Sequence, residues 1–200
     1  MIKTLFTDVG GVLLTNGWGN ASRKLAIDKF ALDAKETESR HHLTFDTYEV
    51  GKITLDEYLQ RIVFYIPRAF SIADFRQFMF EQSQPYPEML DLVRRVKASG
   101  RNVVVVSNEG RELTEYRIKT FKMGEFADFF VSSCFVHFRK PDRDIFQMAI
   151  DLAQANPAES VYLDDRPMFV EVAASLGLQA ILHTDYETTK AALVALGVAV

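Results

Sequence analysis

The stretch Ile2-Lys3-Thr4-Leu5-Phe6-Thr7-Asp8-Val9-Gly10-Gly11-Val12-Leu13 decides the fold. Its first half is a short, mainly apolar run of strand length that ends in a carboxylate followed by two glycines. A charge at the end of a buried strand is badly placed for stability. It is well placed for chemistry, because open parallel sheets bind ligands at the carboxyl ends of their strands. Later segments repeat the layout: Val103-Val104-Val105-Val106-Ser107-Asn108, then Arg139-Lys140-Pro141-Asp142, then Val161-Tyr162-Leu163-Asp164-Asp165. Strands are expected at Ile2–Thr7, Asn102–Ser107, Phe129–Ser133, Ser160–Asp164 and Gln179–Leu182. Helices are expected at Glu88–Ala98, Arg111–Phe121, Asp144–Gln154 and Met168–Leu176. Gly100 and Gly177 stand where the left-handed end of a helix falls. Alternating strands and helices imply an α/β fold, a doubly wound, Rossmann-like parallel sheet covered on both faces.

The stretch from 15 to 84 breaks the alternation. It contains no convincing strand and about four helical patterns. Thr54-Leu55-Asp56-Glu57 makes a capping box after the break at Gly51, and Ser71-Ile72-Ala73-Asp74 resembles one with a shorter acid. Gln84-Pro85-Tyr86-Pro87 closes the segment, since paired prolines disfavour a continuing helix. The expected organisation is a core domain of 1–14 and 85–200, with 15–84 inserted as a small helical cap that lies over the Asp8 loop.

A net charge of -4 leaves no basic footprint for nucleic acid, so any anion site must carry its own local positive charge. Cys134 is the only cysteine, which excludes an internal disulfide, and it reads as a small residue near a strand end. No apolar run reaches membrane-spanning length and no signal-peptide pattern opens the chain, so the expected location is the cytoplasm, with no membrane partner.

Asp8 and the pair Asp164-Asp165 would crowd one sheet edge, and like charges that close need compensation. A hard divalent cation with oxygen ligands supplies it, and magnesium is the abundant choice. Ser107 and Asn108 offer a hydroxyl and amides at the next strand end, and Lys140 brings positive charge. The glycines let backbone amides at Val9 and Gly10 approach an anion. Together these groups describe phosphoryl transfer to an aspartyl nucleophile.

The four motifs, in this order on strand ends and over nearly the whole chain, resemble the haloacid dehalogenase (HAD) superfamily of hydrolases. The insertion resembles the helical cap of the family's first subclass. The resemblance implies that Asp8 attacks phosphorus and becomes an aspartyl phosphate. It implies that Asp8, the Gly10 carbonyl and Asp165 hold magnesium directly, with Asp164 acting through water or as a weaker ligand. Ser107, the Asn108 amide and Lys140 would bind the phosphoryl oxygens, and Lys140 would also restrain Asp8. The substrate implied is a small phosphorylated metabolite.

Two positions depart from the family pattern. Most of its phosphatases carry a second aspartate two residues after the nucleophile, as the acid that protonates the leaving group; here Gly10 stands there. A polar residue often follows the acidic pair by four positions; here it is Phe169. Losing the acid favours leaving groups that need little protonation, and so points to a sugar phosphate esterified at its anomeric carbon. A 2-haloacid dehalogenase, which needs neither acid nor metal, and a catalytically weak phosphoryl-ligand-binding protein are the alternatives. His41, His42 and Glu49 are lesser candidates for the missing acid, with packed or solvated roles favoured. Glu109 reads as a surface residue, Arg166 as structural, and Trp18, Phe64, Phe75, Phe78 and Phe80 as core.

Overall fold

The computed structural model describes residues 1–199. Strands β1 (Thr4–Thr7), β2 (Asn102–Ser107), β3 (Phe129–Ser132), β4 (Ser160–Asp164) and β5 (Gln179–Leu182) form one parallel sheet in the order β3-β2-β1-β4-β5. The expected doubly wound α/β fold is therefore present, and the expected strands appear within two residues. Strand β1 begins at Thr4 rather than Ile2, although the Lys3 amide donates to the Glu159 carbonyl at 2.7 Å just ahead of it.

Helices α1 (Asn20–Lys29), α2 (Ala34–Glu49), α3 (Leu55–Ile62) and α4 (Ile72–Glu81) precede α5 (Pro87–Ala98), α6 (Arg111–Thr120), the single turn α7 (Ser133–Val136), α8 (Arg143–Leu152), α9 (Pro167–Ser175) and α10 (Tyr186–Ala195). Turn α7 and helix α10 had no expected counterpart. The start of α10, Tyr186-Glu187-Thr188-Thr189-Lys190, is too polar to show a periodic stripe, and its clearest start signal is Asp185 accepting from the Thr188 amide. Gly100 and Gly177 adopt φ of 85° and 88°, the left-handed conformation expected after a helix.

The valine run is apolar throughout because both of its faces are buried. Val103 and Val105 pack with Leu5, Leu92, Val93 and Leu193 on one face of the sheet. Val104 and Val106 pack with Phe6, Ile145, Phe146 and Ala173 on the other. Helices α1 to α4 share a separate apolar cluster around Trp18, Tyr58 and Phe75, to which α6 contributes Leu113. Both capping boxes, Thr54 with Glu57 and Ser71 with Asp74, form reciprocally.

The two connections between these four helices and the sheet run side by side. Leu14 and Pro85 make an antiparallel bridge, and the Tyr86 amide donates to the Leu13 carbonyl at 2.9 Å. Thr15 Oγ1 donates to the Gln82 carbonyl at 2.6 Å and accepts from the Gln84 amide at 2.9 Å. A second seam lies at the C-terminal end of α2, where Ser133 Oγ donates to the Glu49 carbonyl at 2.7 Å. Gly51 (φ 71°) lies so close to Cys134 that a Cβ there would stand 2.3 Å from the Cys134 carbonyl oxygen.

A third close approach sits between α2 and α6, where a Cβ on Gly110 would stand 1.9 Å from the fully buried Tyr48 ring. Overpacking of this kind costs about 1–3 kcal/mol and more when the neighbour cannot move. Tyr48 is also stacked on Tyr58 with ring centroids 4.9 Å apart and has no room to yield. Gly110→Ala is expected to destabilise the fold by at least about 2 kcal/mol in urea unfolding; an unchanged midpoint would contradict this packing.

Candidate active site

Register brings the carboxylates together. Thr7 of β1 pairs with Leu163 of β4, and the Asp8 amide continues the ladder onto the Leu163 carbonyl at 2.9 Å. Asp8 and Asp164 therefore leave adjacent strand ends, and β1 is the strand from which the chain order runs outward both ways. Such a switch point opens a crevice at the carboxyl edge. Oxygens of Asp8, Asp164 and Asp165 all lie within 4.8 Å of one another.

The Lys140 ammonium is fully buried between two of them, with Nζ 2.7 Å from Asp164 Oδ2 and 3.0 Å from Asp8 Oδ2. Burial works against its charge, but the two carboxylates outweigh that and hold its pKa above the ordinary lysine value. One ammonium serving two carboxylates leaves a deficit. Burial pushes the Asp8 carboxyl up to about 6, with Lys140 opposing and Asp164 adding to the rise. Asp165 is also raised, mainly by burial, although Arg166 and the Asn16 amide oppose it.

Asp164 has little capacity left. Its Oδ2 accepts from Lys140 and from Tyr162 OH at 2.5 Å, and its Oδ1 accepts from the Arg166 amide at 2.9 Å. Asn108 positions Lys140 through reciprocal bonds of 2.8 Å each, its Nδ2 to the Lys140 carbonyl and the Lys140 amide to its Oδ1. The Val9 amide donates to Asp8 Oδ1 at 2.6 Å and so fixes the carboxylate. Ser107 is buried at the end of β2 and lines a narrow crevice with Val9 and Thr114, whereas Asn108 lines the main cavity. Phe169 places its ring centroid 5.0 Å from Lys140 Nζ, so it covers the ammonium with an aromatic face.

Gly10 also has a structural account. A Cβ at that position would lie 2.7 Å from Asn16 Oδ1. Asn16 thus fills the space beside Gly10, and it also abuts Asp165. Gly11 adopts φ 75°, where a side chain is strained, and a Cβ there would meet Asp165 Oδ2, whereas a side chain at position 10 would have to displace the end of the Asn16 side chain.

A cavity of about 560 Å³ opens above these groups, lined by Asp8, Asn108 and Asp165 and by Trp18, Arg23 and His41 from the helical stretch. One sequence expectation changes here. Glu109 is buried rather than on the surface, with an ion pair of 3.2 Å to Arg117, and Glu49 is buried and lines the cavity. His41 is packed, with Nδ1 2.6 Å from Tyr58 OH, whereas His42 is exposed. Cys134 is buried and its thiol pushed up to about 11, chiefly by burial, in keeping with a packing role. Sequence reasoning missed Asn16, Arg23, Arg117 and Tyr162. Only Tyr162 carried a signal, since a residue two before Asp164 on a strand shares its face.

The sequence profile of the haloacid dehalogenase-like hydrolases matches residues 2–177. The chain belongs to this family. Among curated relatives, bifunctional epoxide hydrolase 2 of Sus scrofa is 26% identical over 94% of the chain, and (S)-2-haloacid dehalogenase 4A of Burkholderia cepacia is 24% identical over 51%. The chain spans only 37% and 44% of the lengths of those two proteins. A HAD family enzyme from Bacteroides thetaiotaomicron, solved with magnesium and inorganic phosphate, superposes with a TM-score of 0.78 at 22% identity, covering 92% of this chain and 95% of that one. The L-2-haloacid dehalogenase of Xanthobacter autotrophicus superposes with a TM-score of 0.64 at 14% identity, covering 100% of this chain and 85% of that one. At these identities the structural likeness is one of fold. No helix of this HAD hydrolase, among the described residues, is long and apolar enough to cross a membrane.

His41 gives the site a pH signature. Burial, reinforced by the charge of Arg23, lowers its pKa from 6.5 to about 4. Between those values the unfolded chain binds the proton more tightly, so the stability His41 contributes is complete above 6.5 and is lost as the pH falls toward 4. Asp8 and Glu49, with raised values, act in the opposite sense over part of this range. The difference between wild type and His41→Gln isolates the histidine. On going from pH 6.5 to 4, the urea midpoint of the wild type is expected to fall relative to that of the variant. Parallel curves would refute this assignment.

Proposed function

We propose that this HAD hydrolase is a magnesium-dependent phosphomonoesterase that works through an aspartyl phosphate on a small phosphorylated metabolite. The observation that carries the reading is the charge deficit at the sheet edge, where one buried ammonium serves the Asp8 and Asp164 carboxylates with Asp165 beside them. A dehalogenase needs no such acidic excess. The donor set fits a hard cation, being all carboxylate and carbonyl oxygen. Asp8, Asp165 and the Gly10 carbonyl would hold it directly, because Asp164 is already engaged by three donors. Once bound, the cation would balance the carboxylates and the phosphoryl oxygens.

The rest of the chemistry falls to the chain. Val9 and Lys140 hold the Asp8 carboxylate at its two oxygens while it attacks phosphorus. Lys140, Ser107 and the amides of Gly10 and Asn108 receive the phosphoryl oxygens. Residues 15–84 act as a cap over the core formed by 1–14 and 85–200. The cavity volume of about 560 Å³ suits a small metabolite. With glycine at position 10, an anomeric sugar phosphate is the substrate type that asks least of the enzyme, since a hemiacetal oxygen leaves more readily than an alkoxide. The magnesium and inorganic phosphate solved with the Bacteroides thetaiotaomicron enzyme of the same fold are consistent with this reading.

Hydrolysis of an aryl phosphate, with and without magnesium, tests the proposal. Turnover is expected to require magnesium and to fall by roughly 10³-fold or more in Asp8→Asn. Chloride release from a 2-haloacid without metal would instead assign the dehalogenase reaction. Tight binding of phosphate esters without turnover would assign a binding protein.

A further inference from the structure

Three titratable side chains outside the carboxylate cluster line the cavity without a role so far: His41, Glu49 and Glu109. Two of them are committed elsewhere. His41 is held neutral near pH 7 by burial and bonds Tyr58 through Nδ1. Glu109 has both oxygens engaged, Oε1 by the Gly110 amide at 3.0 Å and Oε2 by Arg117 at 3.2 Å.

Glu49 differs. Its side chain is only 8% exposed, yet Oε2 makes no aligned hydrogen bond. Arg139 Nε stands 2.8 Å from that oxygen, but its N–H does not point at it. The Arg139 guanidinium is also shared with Asp46. The backbone of Glu49 is pinned to the core: Ser133 bonds its carbonyl, and His137 Nδ1 lies 2.7 Å from the carbonyl of Val50. Glu49 is thereby fixed beside the loop that carries Lys140, on the wall of the cavity that Asp8 also lines.

We propose that Glu49 is the general acid of this site and delivers the proton that position 10 cannot supply. This rests on the phosphomonoesterase reading. As the Asp8 oxygen bonds to phosphorus, the ester P–O bond breaks and its electron pair passes to the leaving oxygen. That oxygen takes the Glu49 carboxyl proton and departs as a neutral alcohol. Water then attacks the aspartyl phosphate and gives its proton to the Glu49 carboxylate. The bond from phosphorus to Asp8 breaks, releasing inorganic phosphate and restoring both side chains. The groups that face Glu49 are Arg139 and Lys140, which favour its carboxylate, and Asp46 and Glu109, which oppose it. Burial outweighs them all and lifts its carboxyl to about 7, where an acid can both hold and release a proton at neutral pH. Asn16, whose side chain lies beside Gly10, offers an amide and no proton of its own to a leaving group.

The experiment compares kcat/KM for an alkyl phosphate and an aryl phosphate across pH, in wild type and in the near-isosteric Glu49→Gln. An aryl oxide leaves with little protonation and an alkoxide does not. The variant is expected to lower the alkyl-to-aryl ratio by about 10²-fold or more. In the wild type the alkyl rate should decline as the pH rises through about 7, and that limb should be absent from the variant. An unchanged ratio would overturn the proposal, because loss of fold or of binding lowers both rates together. If Glu49→Gln does not fold, the wild type decides alone: an alkyl profile no different from the aryl one through neutral pH rejects Glu49. Absence of wild-type turnover on either ester would reject the phosphomonoesterase reading, and this one with it.

Discussion

A single buried ammonium organises this molecule. Lys140 reaches between Asp8 at the end of β1 and Asp164 at the end of β4, so one cation ties together the carboxylates of two strands. Its own position is set from a third strand, through the reciprocal bonds to Asn108 beyond β2. Removing one member of such a buried set leaves an uncompensated charge, at a cost of roughly 3–5 kcal/mol. Phe169 and Tyr162 face the ammonium with their rings, and Tyr162 also donates to Asp164, so the site is both closed and pre-positioned. The remaining negative excess is what makes the sheet edge receptive to a further cation.

The four helices between β1 and α5 depend on the same region. Their two chain connections are hydrogen-bonded to each other at Thr15 and Gln84. Buried Arg117 of α6 ties these connections down by donating to Ser83 Oγ and the Thr15 carbonyl, while it pairs with Glu109. At the far end of α2, Arg139, one residue before Lys140, pairs with Asp46 and stands beside Glu49. Helical wall and sheet edge are therefore joined through residues, Glu49, Glu109, Arg117 and Arg139, that also line the cavity.

Position 10 illustrates how a departure from a family pattern is absorbed. A glycine there reads as a missing acid when the sequence is taken alone. In the fold it is the space into which Asn16 turns, and Asn16 in turn stands beside Asp165. Phe169 behaves similarly: the polar group expected there is replaced by a ring over Lys140, and Asp164 is steadied by the Arg166 amide instead.

The sequence by itself determined the sheet, the order of the motifs and the family. Runs such as Val103–Val106 are apolar at every position only when both faces are covered, and chemistry-bearing residues that end such runs must share an edge. It also determined both capping boxes, because these are local contacts between residues three apart. It did not determine the wall of the cavity. Glu109 read as a surface residue because its burial against Arg117 leaves no mark in the local pattern, and Glu49 stayed a lesser candidate because its neighbour Arg139 lies far along the chain. Arg23 looked like any other helical arginine until folding buried it beside the cavity. Burial and charge pairing depend on which segments meet, and only the tertiary structure brings those segments together.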